Sequence, residues 1–337
     1  MTSIYDIAAK AGVSPTTVSL VLNGKSDKLR ISQKTRERIL AAAAELKYVP
    51  NAMARKMSNR TLKKTPQVAF FWAPTQNPYI LNAFIDKLHA MIASGAIEEV
   101  QLSIYPYDNG ELYKQEGLIV DPVYNAIILP LVDEDDVRFL DGANTNTPVV
   151  TLLESTPRYH SVTIAYREAG RTAAEVFLSH GRTAPAVISS ALPIKIIRDR
   201  VGAFVERFRE SGAEAPPVER EGSTFKPESG YAAASRLLES GRVPDCVFAS
   251  HAELALGAIE RFKAAGLRIP GDIELISFGG DVIAELCSPS LTAITYDLGE
   301  LSASALTIVS EALAGTVKGP VRAVSPVSIA YRESCPR

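Results

Sequence analysis

Apolar positions near the start of the chain recur with the period of short helices. Ile4, Ile7, Ala8 and Ala11 fall at i, i+3, i+4 and i+7, one face of a helix, with Ser3 and Asp6 at capping-box spacing. Gly12 ends that helix, being the residue best suited to the left-handed position after a helix. Only Val13 then precedes Ser14-Pro15, an N-cap followed by proline at the first helical position. The second helix is predicted to run to about Leu22, with Val18, Val21 and Leu22 inward and Pro15, Thr16, Thr17, Ser19, Leu20 and Asn23 outward. A third, starting near Ser32, turns Ile39, Ala42, Ala43 and Leu46 inward and Lys34, Arg36 and Arg38 outward. Two short helices joined by a tight glycine-containing turn form a helix-turn-helix, whose second helix suits the DNA major groove.

The pattern changes after Tyr48. Pro50 breaks the chain, Asn51 can cap, and a run of helix-tolerant residues follows to Met57. So short a segment is coil in water unless something packs on it. Basic Asn59–Pro66 links this head to the rest. Beyond Pro66, strands predicted at Val68–Trp72, Gln101–Tyr105, Ala126–Pro130, Val149–Leu153, Ala186–Ser189, Val247–Ala249 and Glu274–Ser277 alternate with helical stretches. That alternation predicts parallel sheets covered on both faces, and the length suggests two lobes with a ligand cleft outside the carboxyl ends of the strands.

Composition narrows the class. With 337 residues, 46% hydrophobic and 22% charged, the chain is an ordinary globular protein of two or three domains. No apolar run approaches the ~18 residues of a membrane helix, and the opening residues lack an export signal. Cys246, Cys287 and Cys335 are far apart and none sits in a C-x-x-C pair. Neither a disulfide framework nor a metal or other cofactor is expected, and a reducing cytoplasm fits. Net charge adds more. Residues 1–65 carry 13 Lys/Arg against 4 Asp/Glu, +9, so the remaining residues carry −11 of the total −2. A basic head on an acidic body is the footprint of a module aimed at a polyanion.

At these residues the resemblance becomes specific. Ile-Tyr-Asp-Ile-Ala-x-x-Ala-Gly-Val-Ser from Ile4, then Thr-Val-Ser and Val-Leu-Asn, Lys-Thr-Arg-Glu-Arg-Ile, and Tyr-Val-Pro-Asn-Ala-Met-Ala-Arg resemble the lactose-repressor (LacI) family of bacterial transcription regulators. The Asn23–Ser32 loop departs by being a few residues longer, adding Asp27-Lys28-Leu29-Arg30. The resemblance implies a cytoplasmic, nucleoid-associated regulator that binds double-stranded DNA as a homodimer, because one module contacts too few bases alone. The last residues before Arg337 add no leucine heptad, so a dimer rather than a tetramer is expected. Pro15, Thr16 and Leu20 match base-reading positions, and Pro15 and Leu20 offer only apolar surface suited to thymine methyls. Tyr5, Thr17, Ser19, Asn23, Arg55 and Lys56 would contact phosphates. Met57 matches the position of an apolar wedge between base steps in the minor groove.

The body carries the same resemblance, to a regulatory region like a periplasmic sugar-binding protein. It rests on Asn77-Pro78-Tyr79, Arg200-Val201-Gly202-Ala203-Phe204, Leu254-Ala255-Leu256-Gly257-Ala258, Ile269-Pro270-x-Asp272-Ile273 and, from the purine-repressor branch, Phe225-Lys226-Pro227-Glu228-Ser229-Gly230-Tyr231. It implies residues 1–50 as the helix-turn-helix domain, 51–65 as hinge helix and linker, and 66–337 as the effector-binding and dimerisation domain. Within the latter, an N-lobe would hold about 66–160 and 293–322, and a C-lobe about 161–292 and 323–337. Tyr79 and Phe225 would stack on a small-molecule effector, Arg200 would hydrogen-bond it, and His251 and Gly279 would stand at acceptor positions. His251-Ala252 replaces the usual Asn-Asp, Phe278-Gly279 the usual Tyr-Asp, and Ala165-Tyr166 a common Asp-Asn. Carboxylates clamp sugar hydroxyls, so a plain neutral sugar is disfavoured. A sugar derivative, a purine, or an aromatic or anionic metabolite remains open, as does an effector-blind or protein-controlled regulator. His251 with Glu253 could be imagined as acid-base chemistry, but the chain has no Gly-x-Ser-x-Gly, phosphate loop or dinucleotide fingerprint, and no enzyme needs the basic head.

Overall fold

The computed structural model describes residues 4–22, 31–46, 65–73, 78–120, 123–143, 145–192, 194–222 and 225–337. It divides into two compact units, Met1–Lys64 and Thr65–Arg337.

The first unit holds α1 (Ile4–Ala11), α2 (Pro15–Leu22) and α3 (Gln33–Glu45). Local chemistry sets their ends. Gly12 takes φ +59°, and the Val13 amide returns to the Ala8 carbonyl at 3.1 Å, closing α1. Ser14 Oγ accepts from the Thr17 amide at 3.1 Å, and Ser32 Oγ from the Thr35 amide at 3.3 Å, satisfying donors that open α2 and α3. Ile7, Ala8, Ala11, Val18, Val21, Ile39, Ala42 and Ala43 are buried together, with Leu46 packed at the edge. Of the side chains expected on the apolar faces, those of Ile4 and Leu22 lie outside the described residues.

The second unit is built on two six-stranded sheets. The first contains β1 (Gln67–Trp72), β2 (Gln101–Pro106), β3 (Ala126–Pro130), β4 (Val149–Leu152), β5 (His160–Ile164) and β11 (Arg322–Ser325), ordered β11-β5-β4-β3-β1-β2 and parallel throughout. The second contains β6 (Pro185–Ser189), β7 (Val218–Arg220), β8 (Cys246–Ala249), β9 (Glu274–Phe278), β10 (Thr292–Thr295) and β12 (Ser328–Ala330), ordered β12-β10-β9-β8-β6-β7. Helix α4 (Pro78–Ala93), the single turn α5 (Glu116–Ile119), α6 (Glu134–Gly142) and α12 (Leu298–Leu313) belong to the first sheet's lobe. Helices α7 (Tyr166–Ser179), α8 (Lys195–Glu210), α9 (Pro227–Glu239), α10 (Ala252–Ala264) and α11 (Asp281–Leu286) belong to the second.

Central strands such as β3 and β9 are buried along their whole length, as parallel strands covered on both faces must be. The expectation of wholly parallel sheets is corrected at one edge, where β12 pairs antiparallel with β10. The path of the chain explains it. β10 runs toward the cleft, whereas β12 enters the second lobe from the cleft side after β11, so it runs away. The lobe crossings fall between Ile164 and Tyr166, Thr295 and Leu298, and Ser325 and Ser328, a few residues beyond the expected positions.

Candidate functional site

The head's candidate DNA-reading face is the outer side of α2. Thr16 is exposed, and Pro15 and Leu20 are partly exposed. Leu20 takes no part in the head's buried cluster, which Val18 and Val21 supply from this helix. Thr17 is drawn into the cap, its hydroxyl 2.8 Å from Ser14 Oγ. Lys34, Arg36 and Arg38 lie on exposed positions of α3. Asn23, Arg55, Lys56 and Met57 lie outside the described residues, as do the side chains of Tyr5 and Ser19.

In the body, the loops after the second lobe's strands converge on Arg200. Helices α7 and α8 pack closely, because Gly170 meets the Arg200 backbone; a Cβ there would lie 1.9 Å from the Arg200 carbonyl oxygen. This contact fixes the turn of α8 that carries the guanidinium. The side chain is 1% exposed and sits 4.3 Å above the Phe278 ring and 5.8 Å from that of Tyr166. Its Nη2 approaches His251 Nε2 at 3.0 Å and Nδ1 at 3.2 Å. The Phe225 ring covers His251 at 3.6 Å between centroids, and Tyr296 stacks on Phe278 at 5.5 Å. Arg200 therefore lies in a box of rings.

No carboxylate among the described residues pairs with this cation, and its buried Nε–H has no hydrogen-bond acceptor. Burial pushes Arg200 down to about 10, still charged at neutral pH. Burial, then the Arg200 charge, drives His251 well below the usual imidazole range, so it is neutral and offers Arg200 a lone pair. Cation–π contact of this desolvated kind contributes about 2 kcal/mol, less than the cost of an unpaired buried charge. The box is short of one acceptor.

Of the positions expected to lack carboxylates, Ala252 is closely packed and Gly279 is open. A Cβ on Gly280, which takes φ +86°, would lie 2.1 Å from Ala252 Cβ. At Gly279 a Cβ would meet nothing within 4 Å, but its amide is already spent on the Ile294 carbonyl at 2.8 Å. Beside the box, at the Ile164-to-Tyr166 crossing, lies a cavity of about 280 Å³ lined by Glu154, Tyr166, Arg167, Lys195 and Asp199 among others. Burial raises the Glu154 carboxyl there, against the Ser155 amide donating at 2.9 Å.

The structure brings three expected residues together, Arg200, Phe225 and His251. Tyr79 stands on α4 in the other lobe, 48% exposed. Tyr166, Phe278, Tyr296 and Glu154 were not singled out as contacts. Phe278 ends β9 and the other three follow the ends of β5, β10 and β4, so a place at a strand's carboxyl end is the available signal.

Comparison with known proteins follows the same division. The family described as "Bacterial regulatory proteins, lacI family" matches residues 3–51, and the one described as "Periplasmic binding protein-like domain" matches residues 174–335. The chain is 29% identical to the lactose operon repressor of Escherichia coli over 98% of this chain and 90% of that one. It is also 29% identical to the repressor PurR of Pasteurella multocida, over 92% of each. Among solved structures, a lac repressor bound to ONPG in its repressed state matches with TM-score 0.71 at 24% identity over 99% of both chains. A CelR–cellobiose complex matches with TM-score 0.70 at 22% identity over 99% of this chain and 100% of that one. No helix among the described residues is long and apolar enough to cross a membrane. Its head thus matches the lacI family of bacterial regulatory proteins, its body matches a periplasmic binding protein-like domain, and repressors resemble the chain along nearly its whole length.

Proposed function

We propose that this regulator is a cytoplasmic repressor that binds a pseudo-palindromic operator as a homodimer and is controlled by a small molecule in the cleft between its lobes. Pro15, Thr16 and Leu20 read base edges, while Tyr5, Thr17, Ser19, Asn23, Arg55 and Lys56 hold phosphates and Met57 wedges the minor groove. The exposure of Thr16 and the absence of Leu20 from the head core support the first assignment. The basic head and the repressor relatives support the DNA partner and leave an enzyme without a role.

The observation that carries the effector reading is Arg200, a buried cation lacking a carboxylate and one acceptor inside an aromatic box. A ligand presenting an anionic or carbonyl oxygen on a flat ring answers both deficits, with Phe225, His251 and the Gly279 backbone around it and Tyr79 closing from the other lobe. A purine or an aromatic acid fits this description, and a neutral sugar does not. A usable switch needs the effector to distinguish two lobe arrangements by ~1–3 kcal/mol.

A thermal-shift screen of sugars, sugar phosphates, nucleobases and aromatic acids on the full-length protein tests this. The expected hit is a ring-bearing acceptor whose shift disappears in Arg200→Gln and whose addition changes operator affinity. A second reading draws on the same box: Arg200 and His251 already fill it, as an effector-blind regulator would require. A silent screen across all four classes would select that reading.

A further inference from the structure

Far from the cleft, at the amino ends of the second lobe's strands, three side chains from distant parts of the chain converge. His180 caps the end of α7, Glu274 opens β9, and Cys335 lies in the C-terminal segment. We propose that His180, Glu274 and Cys335 are the ligands of a zinc-class divalent cation that clips the C-terminal segment to this lobe.

The distances carry the inference. His180 Nδ1 lies 3.0 Å from Glu274 Oε2, Cys335 Sγ lies 3.5 Å from the same oxygen, and Sγ lies 3.8 Å from Nδ1. Tetrahedral zinc with ordinary Zn–N, Zn–O and Zn–S bonds sets ligand-to-ligand edges of about 3.4–3.6 Å. The sulfur–oxygen edge already fits, and the other two need to move by a few tenths of an ångström. Nitrogen, oxygen and sulfur together form a donor set that suits zinc better than magnesium or calcium. Glu274 is also held from behind, because Arg182 donates to Oε1 at 2.9 Å; Oε2 faces Cys335, and His180 Nδ1 lies 3.0 Å from Oε2 and 3.1 Å from Oε1. Such an outer partner is what orients a ligating carboxylate.

The chain around the cluster is already ordered. Ser334 Oγ accepts from the Thr292 amide at 2.8 Å and donates to the Leu275 carbonyl at 2.7 Å, while Thr292 Oγ1 donates to the Cys335 carbonyl at 2.8 Å. Cys335 is fully buried, whereas the His180 side chain is 24% exposed and gives the cation a way in. Without a cation, burial and then the Glu274 charge push the Cys335 thiol up, so its proton sits between sulfur and carboxylate. Burial opposes ionisation of Glu274, yet the hydrogen bonds from Arg182 and His180 hold its carboxyl below the usual range. On binding, the thiol proton leaves to solvent and the sulfur–metal bond replaces it, while the neutral His180 ring carries its proton on Nε2 so that the Nδ1 lone pair faces the cation. Thiolate and carboxylate then offset the dication's charge, with the Arg182 guanidinium left as one positive charge behind Glu274, and affinity rises with pH. Sequence spacing could not reveal this, since the three residues lie far apart in the chain.

The test titrates cobalt(II) into full-length protein stripped with a chelator and dialysed. One equivalent per chain should give a thiolate-to-cobalt charge-transfer band, which zinc displaces. The band should vanish in Cys335→Ser and persist in Cys287→Ser. His180→Gln, which keeps the thiol, should weaken binding by at least about tenfold, since even outer-shell losses cost that much. Zinc should raise the melting temperature of the wild type and of Cys287→Ser only. Absence of a band in the wild type, or a band that survives Cys335→Ser, overturns the proposal. Should Cys335→Ser fail to fold by circular dichroism, unchanged cobalt affinity in His180→Gln overturns it equally.

Discussion

Burying an arginine beside a histidine works only while the histidine stays neutral, and this makes the Arg200–His251 contact sensitive to acid. Folded His251 sits well below the ordinary imidazole value of about 6.5, whereas in the unfolded chain it protonates near that value. The unfolded state thus binds more protons in this interval, so the contribution is intact above about 6.5 and stability falls as pH drops below it. Denaturant melts of the wild type should show that fall, and His251→Gln should flatten the part due to this site. The lowered His160 remains in both proteins and cancels from the difference. Identical pH profiles would mean that His251 protonates freely in the folded state. The capping residues Ser14 and Gly12 are legible in the sequence because capping is local chemistry, and Arg200 is legible through a motif. The box around Arg200 is not. Phe278 and Tyr166 stand there in place of a usual tyrosine and a common asparagine, beside the missing carboxylates, and no periodicity says that their rings turn toward a cation.

At the level of elements, small residues decide how helices meet. A Cβ at Gly257 of α10 would lie 1.7 Å from the Pro227 carbonyl oxygen, and one at Gly230 of α9 1.9 Å from that of Leu254. These two helices pack backbone to backbone, much as α7 and α8 do at Gly170. Gly257→Ala should destabilise the protein by about 1–3 kcal/mol or more through overpacking. Gly202→Ala on α8, where a Cβ meets nothing, should instead stabilise by ~0.5–1 kcal/mol. Equal effects in chemical denaturation would refute the packing argument. The long apolar strands, such as β1 and β3, are legible in the sequence because covering on both faces makes them continuously hydrophobic. β7, β11 and β12 are not. They are short edge strands with partly exposed residues, held by the sheet rather than by their own pattern.

Across the whole molecule, control requires lobes that can move. The Arg198–Glu134 ion pair spans them at 2.7 Å, but both side chains are more than half exposed, so it contributes at most ~1 kcal/mol and does not lock them. On the proposed function, an effector worth a few kcal/mol would then shift the arrangement, and the 51–57 segment would convert that shift into DNA affinity. Met57→Ala should weaken specific binding without changing its salt dependence, because no phosphate contact is lost, whereas Arg55→Ala should reduce the salt slope by about one counterion. Matching salt slopes would contradict those roles. The proposed function requires above all that two copies of the α2 face read a symmetric DNA site. The direct measurement is selection of binding sites by the full-length protein from random duplex DNA. The expected result is a preferred pseudo-palindrome that Leu20→Arg shifts toward G at a symmetric pair of positions. Recovery of no preferred sequence, or of an asymmetric site unchanged by Leu20→Arg, would contradict it.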